Sequence, residues 1–160
     1  MYINNYKKRG RVRITKVIAV NGSPKIGNGM TSTILKPFLD GIEEAGAETE
    51  LFYSHDLNIE PCTGELICWN KTLGDCYMED EMDKLYPKLW DADILVLATP
   101  VYIPFPSKFQ NFINRLVPLM NPNIERRDGH TRARLRDDIN LKKIVLVSTC
   151  KWGEKENFNK

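Results

Sequence analysis

The chain has 160 residues, enough for one domain that buries roughly 70% of its unfolded surface without disulfides or metal. Its 42% hydrophobic and 28% charged residues exclude a disordered or fibrous chain, and no apolar run approaches the length of a membrane span. Lys plus Arg number 23 against 21 for Asp plus Glu, a net charge of +2, so no global field directs the chain to nucleic acid or an anionic membrane.

Residues 1–12 carry Lys7, Lys8, Arg9 and Arg11 with little apolar content and read as a basic, solvated arm ahead of a single domain over residues 13–160. The first apolar run, Val17 to Val20, is too short for a signal-peptide core, which makes a reducing cytoplasm the expected location. That run closes the segment Arg13 to Val20, a buried strand. A loop with three glycines and a proline follows, Asn21 to Met30. Ile34, Leu35, Phe38, Leu39 and Ile42 then fall at helical spacing, predicting a helix from Thr31 to Ala45 with Thr31 or Ser32 as N-cap and Gly46 as the stop.

Glu48 to Tyr53 reads as a second strand, Leu57 to Tyr77 as irregular, and Asp80 to Trp90 as a helix whose end Pro87 leaves open. Asp93 to Ala98 is a third strand, with a continuous apolar run. A helix from Pro106 or Ser107 to about Met120 places Phe109, Phe112, Ile113, Leu116 and Val117 on one face, and Lys143 to Ser148 is the fourth strand. Apolar strands separated by helices imply an α/β fold, a doubly wound parallel sheet in strand order 2-1-3-4.

In such a sheet ligands sit beyond the carboxyl ends of the strands, where the order reverses. Three loops meet there. The first, NGSPKIGNGMTST, is rich in glycine and hydroxyls and runs into a helix N-terminus, the composition of a phosphate cradle with Ser23, Thr31, Ser32 and Thr33 as hydroxyl donors. The alternative is a plain strand-to-helix turn. It fits neither the nucleoside-triphosphate loop nor the dinucleotide glycine fingerprint. The other two loops, Thr99 to Phe105 and Thr149 to Gly153, are apolar and aromatic, with Tyr102 and Trp152 beyond the strand ends. Together the loops suit a ligand with a phosphate at one end and a planar ring at the other.

The GSPK glycine/threonine loop, the Pro-Cys pair followed by spaced cysteines, the acidic Asp-Glu-Met-Asp helix start and Ala-Thr-Pro-Val-Tyr together resemble the flavodoxin-like NAD(P)H-dependent FMN reductases. The likeness runs from about Lys16 to Asn157 and is similar above all to the iron–sulfur flavoprotein branch. The resemblance implies FMN, with its phosphate on Ser23, Lys25, Met30, Thr31, Ser32 and Thr33. It places the ring against Pro100, Val101, Tyr102 and Ile103 and against Thr149, Cys150, Lys151, Trp152 and Gly153. It implies hydride transfer from NAD(P)H to a small acceptor such as a quinone or flavin, with no side chain required as acid or base, and assembly as a homodimer or homotetramer. Two alternatives stay open, a carrier of electrons between redox partners and a flavodoxin-like remnant without cofactor.

Cluster-bearing members of that branch carry four cysteines, the second three residues after the first. Here Cys62 is followed by Glu65 at that place, then by Cys68 and Cys76, which argues against an iron–sulfur cluster. Free thiols and a partial metal site on Cys62, Cys68 and Cys76 are the other readings, and Trp69 in the same loop is a candidate interface anchor. Five arginines between Arg126 and Arg136 alternate with Glu125, Asp128, Asp137 and Asp138 and read as a solvated loop rather than a nucleic-acid site. Flavodoxin-like sheets end with a fifth strand and helix. Only twelve residues follow Ser148, so the fifth strand is expected to be absent, through truncation, or supplied by a partner subunit.

Overall fold

The computed structural model describes residues 13–153; the arm expected over residues 1–12 lies outside them. In chain order the elements are β1 (Lys16–Asn21), α1 (Met30–Glu44), β2 (Glu48–Tyr53), α2 (Ile67–Asn70), α3 (Met82–Asp91), β3 (Ile94–Pro100), α4 (Ser107–Asn114), β4 (Glu125–Arg127), β5 (His130–Arg132) and β6 (Lys143–Thr149). Four of the strands form one parallel sheet in the order β2-β1-β3-β6. With the β4–β5 hairpin left out of the count, this is the expected 2-1-3-4 order of the flavodoxin-like fold.

Alternation along the strands sorts the core onto two faces. Val17 and Ala19 of β1 and Val96 and Ala98 of β3 pack on Leu35 and Leu39 of α1. Ile18, Val20 and Leu95 point the other way, onto Met82, Leu85 and Leu89 of α3 and Phe109 and Phe112 of α4. Each of the larger of these side chains is worth about 1.5–3 kcal/mol on burial. Asp93 stitches the opposite end of the sheet. Its carboxylate accepts the Lys16 N–H at 3.0 Å, Lys142 Nζ at 2.8 Å and an Arg13 guanidinium nitrogen at 2.8 Å.

Several boundaries differ from expectation for local reasons. Helix α1 starts at Met30, and its N-cap is Gly29 rather than Thr31 or Ser32, whose side chains turn into the protein. Helix α4 stops at Asn114, well short of Met120, because Pro118 cannot donate to the Asn114 carbonyl and its ring would strike it. Pro118 lies instead in a single 3-10 turn, Val117–Leu119. Helix α3 accommodates Pro87 and runs to Asp91. The arginine-rich loop is a hairpin, β4 antiparallel to β5, turned by Asp128 and Gly129 at φ 53° and 78°. Both turn residues have positive φ, the geometry that matches the twist of a two-residue hairpin.

Candidate functional site at the strand ends

Hydrogen bonds bring the three predicted loops together. The Gly22 N–H donates to the Ala98 carbonyl at 2.7 Å, joining the first loop to the end of β3. The Val101 N–H donates to the Thr149 carbonyl at 2.8 Å, joining the second to the third. Thr31 and Thr149 share a buried hydroxyl–hydroxyl bond of 2.9 Å, tying the start of α1 to the end of β6. Pairing in the sheet fixes the strand ends side by side, and these bonds carry that order into the loops.

The first loop is built around Asn21, which is fully buried. Its amide nitrogen donates to Ser32 Oγ at 2.9 Å and its amide oxygen accepts the Ser23 N–H at 2.9 Å. Ser23 Oγ accepts the Lys25 N–H at 3.3 Å. A Cβ on Gly29 would lie 3.0 Å from Ser23 Oγ and 3.1 Å from the Lys25 Cβ, so the loop closes on a residue with no side chain. The first N–H of α1 with an acceptor belongs to Thr33, on the Gly29 carbonyl at 3.1 Å. Those of Met30, Thr31 and Ser32 have none among the described residues, and no side chain caps them. Three free donors at the positive end of a 15-residue helix, in a segment without a carboxylate from Asn21 to Thr33, form an anion cradle.

The hydroxyls of the loop are already engaged with one another and with the backbone. Thr31 bonds Thr149, Ser32 accepts from Asn21, and the Thr33 hydroxyl donates back to the Gly29 carbonyl at 3.3 Å. Ser23 and Ser32 only accept in these bonds and keep their own protons to donate, beside the free backbone N–H groups.

Beyond β3, Val101, Tyr102 and Ile103 are exposed, Ile103 by 90%, and Trp152 is 68% exposed on the third loop. They form an open apolar rim. Phe105 leaves that rim for the core, edge-on to Phe109 at 5.6 Å. Pro100 and Cys150 are half-buried, and Lys25, Met30, Lys151 and Gly153 are exposed at the same end. A larger cleft, about 550 Å³, lies elsewhere, beside β1, β2 and α3. Its cations already pair, Lys88 with Glu50 at 2.8 Å and Lys16 with Asp91, so it offers no free donors comparable to those at the strand ends.

The cysteine loop is held by a buried ion pair that the sequence did not announce. Arg115, 1% exposed, donates to both Asp80 oxygens at 2.6 and 3.2 Å and to the Glu60 and Met78 carbonyls at 3.0 and 3.3 Å. Asp80 also accepts the N–H groups of Glu60 and Met82 at 2.9 and 2.8 Å. Burial pushes the Tyr86 phenol well above its ordinary range, and it donates to the Arg115 carbonyl at 2.8 Å. Burial, and then the Cys76 and Cys62 thiols, push the Cys68 thiol up. All four cysteines are free thiols. Glu65 accepts from Thr63, and among the described residues no three His, Cys, Asp or Glu side chains converge as metal ligands. Trp69 faces inward, its indole N–H donating to the Val117 carbonyl at 3.2 Å, and is not a free anchor.

Comparison with known proteins bears on the family and the fold. An iron–sulfur flavoprotein of Methanocaldococcus jannaschii is 37% identical over 87 residues, which cover 54% of this chain and 44% of that protein. One from Archaeoglobus fulgidus is 34% identical over 105 residues, covering 64% of this chain and 46% of the relative. The chain thus spans less than half the length of these two relatives. Among solved structures, an NAD(P)H:quinone oxidoreductase from Methanothermobacter marburgensis superposes with a TM-score of 0.66 at 16% identity, over 92% of this chain and 70% of its own. A Bacillus anthracis azoreductase gives 0.61 at 18% identity, over 86% and 69%. These two show the shared fold. Residues 15–150, which contain the cradle, the Val101 to Ile103 part of the apolar rim and all four sheet strands, match the NADPH-dependent FMN reductase family, and the chain belongs to it.

Proposed function

We propose that this chain is an FMN-dependent oxidoreductase that draws hydride from NAD(P)H and reduces a small acceptor such as a quinone or a flavin. The observation that carries this reading is the cradle of unpartnered N–H groups at Met30, Thr31 and Ser32 beside an exposed apolar rim, Val101 to Ile103 and Trp152. Family membership supports the cofactor. The residues fit it: free N–H groups at a helix N-terminus suit a phosphate, and the loop that presents them closes on Gly29, where a Cβ would crowd Ser23 and Lys25.

When bound, FMN would supply two-electron chemistry between a reduced nicotinamide and the acceptor. The chain's part is position and electrostatics. The α1 N-terminus, Ser23, Lys25 and Thr33 would hold the phosphate, with Asn21, Thr31 and Ser32 fixing the loop. Pro100 to Ile103, Thr149, Cys150, Trp152 and Gly153 would flank the ring and exclude water, and Lys151 would place positive charge near it. Assembly with a second copy belongs to the same proposal, supported by Ile144 and Leu146, 59% and 61% exposed on β6.

The test is steady-state oxidation of NADH and NADPH by the FMN-loaded chain with a soluble quinone. Turnover that requires added FMN and quinone is expected. A flavin-loaded protein that leaves both nicotinamides unoxidised contradicts the oxidoreductase reading.

A further inference from the structure

A second cleft, about 420 Å³, opens at the same end of the sheet but on the α4 side, between the ends of β1, β2 and β3 and the start of α4. Pro100, Tyr102 and Pro106 give it apolar walls, and Gly22 forms part of its floor. Its polar groups are unusual. Ser54 is 1% exposed and lines the cleft, yet its hydroxyl has no hydrogen-bond partner among the described residues. A buried hydroxyl left unpaired costs about 1–3 kcal/mol, which turning the Ser54 hydroxyl onto an acceptor in the cleft would recover.

Two sources of positive charge face the same space. Helix α4 has no side-chain cap, and its first paired N–H is that of Gln110, on the Pro106 carbonyl at 2.9 Å. The N–H groups of Ser107, Lys108 and Phe109 are left over. Lys108 lines the cleft, and its ammonium is held by the His55 and Leu57 carbonyls at 2.8 and 3.4 Å. An ammonium has three protons, so one stays available. None of the residues lining this cleft carries a carboxylate.

We propose that this cleft binds a planar, single-ring molecule carrying a carboxylate, the ring against the prolines and Tyr102 and the carboxylate toward Lys108, Ser54 and the start of α4. Its size and apolar walls favour a ring acid over a bare phosphate. Because Pro100 and Tyr102 also belong to the proposed flavin rim, the cleft is the docking site of the electron acceptor. That role rests on the flavin reading; binding itself does not.

The experiment is amide NMR of the full chain, with and without FMN, titrated with benzoate, methyl benzoate and inorganic phosphate. Benzoate is expected to shift the Gly22, Ser54 and Ser107 amides saturably, with methyl benzoate and phosphate at least about tenfold weaker. Lys108→Gln and Ser54→Ala should each weaken benzoate by about threefold to tenfold, with FMN affinity unchanged. Ser54→Ala should not lower the melting temperature, since it removes no hydrogen bond. Absent saturation, equal binding of the ester or of phosphate, or displacement of benzoate by FMN overturns the proposal. Failure of the flavin reading is read separately, as absent FMN binding in a chain that still takes benzoate.

Discussion

Arg115 shows how much one side chain can organise. Its guanidinium is buried against Asp80 and two carbonyls, and together they fix the segment that carries Cys62, Cys68 and Cys76. Removing one member of a buried pair leaves the other charge uncompensated, at about 3–5 kcal/mol. Arg115→Met should lose that much in urea unfolding, and Arg115→Lys should recover only part, because an ammonium cannot reproduce the two-pronged contact. A loss under about 1 kcal/mol would show the pair to be incidental.

Asp93 makes a prediction about pH. The Lys142 ammonium foremost, with the Lys16 N–H and Arg13, holds its carboxyl below the ordinary carboxylate range. A depressed folded pKa contributes stability that is present above the unfolded value of about 3.9 and lost as pH falls through the folded value. Asp93→Asn should therefore lower the melting temperature at pH 6 and flatten its decline below pH 4. Parallel melting curves for the two proteins would contradict this. At this scale the sequence displayed the glycines and hydroxyls of the site plainly. The partners were hidden: Thr31 and Thr149 stand 118 positions apart, and Arg115 interrupts a stretch that reads as one apolar helix face.

At the scale of elements, the strands were legible because continuous β-branched runs are buried on both faces, and α1 because its apolar residues recur at helical spacing. Helix ends were less so. Pro118 lies beyond the early end of α4, whereas Pro87 falls inside α3, which runs on to Asp91. The Asp128-Gly129 turn signal was present, but the surrounding arginines drew the reading toward a solvated loop. Gly22 tests the junction of β1 with α4. A Cβ there would lie 2.4 Å from the Phe109 ring, so Gly22→Ala must displace a buried aromatic, at about 1–3 kcal/mol. Adding Phe109→Leu should return part of that loss in thermal melts. If the double variant is as unstable as the sum of the two singles, the contact is not the cause.

At the scale of the molecule, one edge of the sheet is open among the described residues. β6 pairs with β3, and among the described residues no strand takes its other edge, while Ile144 and Leu146 are exposed on the α3–α4 face. An apolar edge of this kind invites pairing with another chain. Replacing both residues with lysine should leave the circular dichroism spectrum unchanged and reduce self-association in sedimentation velocity. Unchanged association would move the interface elsewhere. The arrangement of the remaining loops makes a sharper claim, that the free N–H groups at the start of α1 receive a flavin phosphate. Comparing the affinities of FMN and riboflavin by fluorescence quenching tests it directly, since the two differ only in that group. Binding of FMN at least about tenfold tighter, with most of the difference lost in Gly29→Ala, is the expected result. Equal affinity for the two flavins, or none for either, would contradict it.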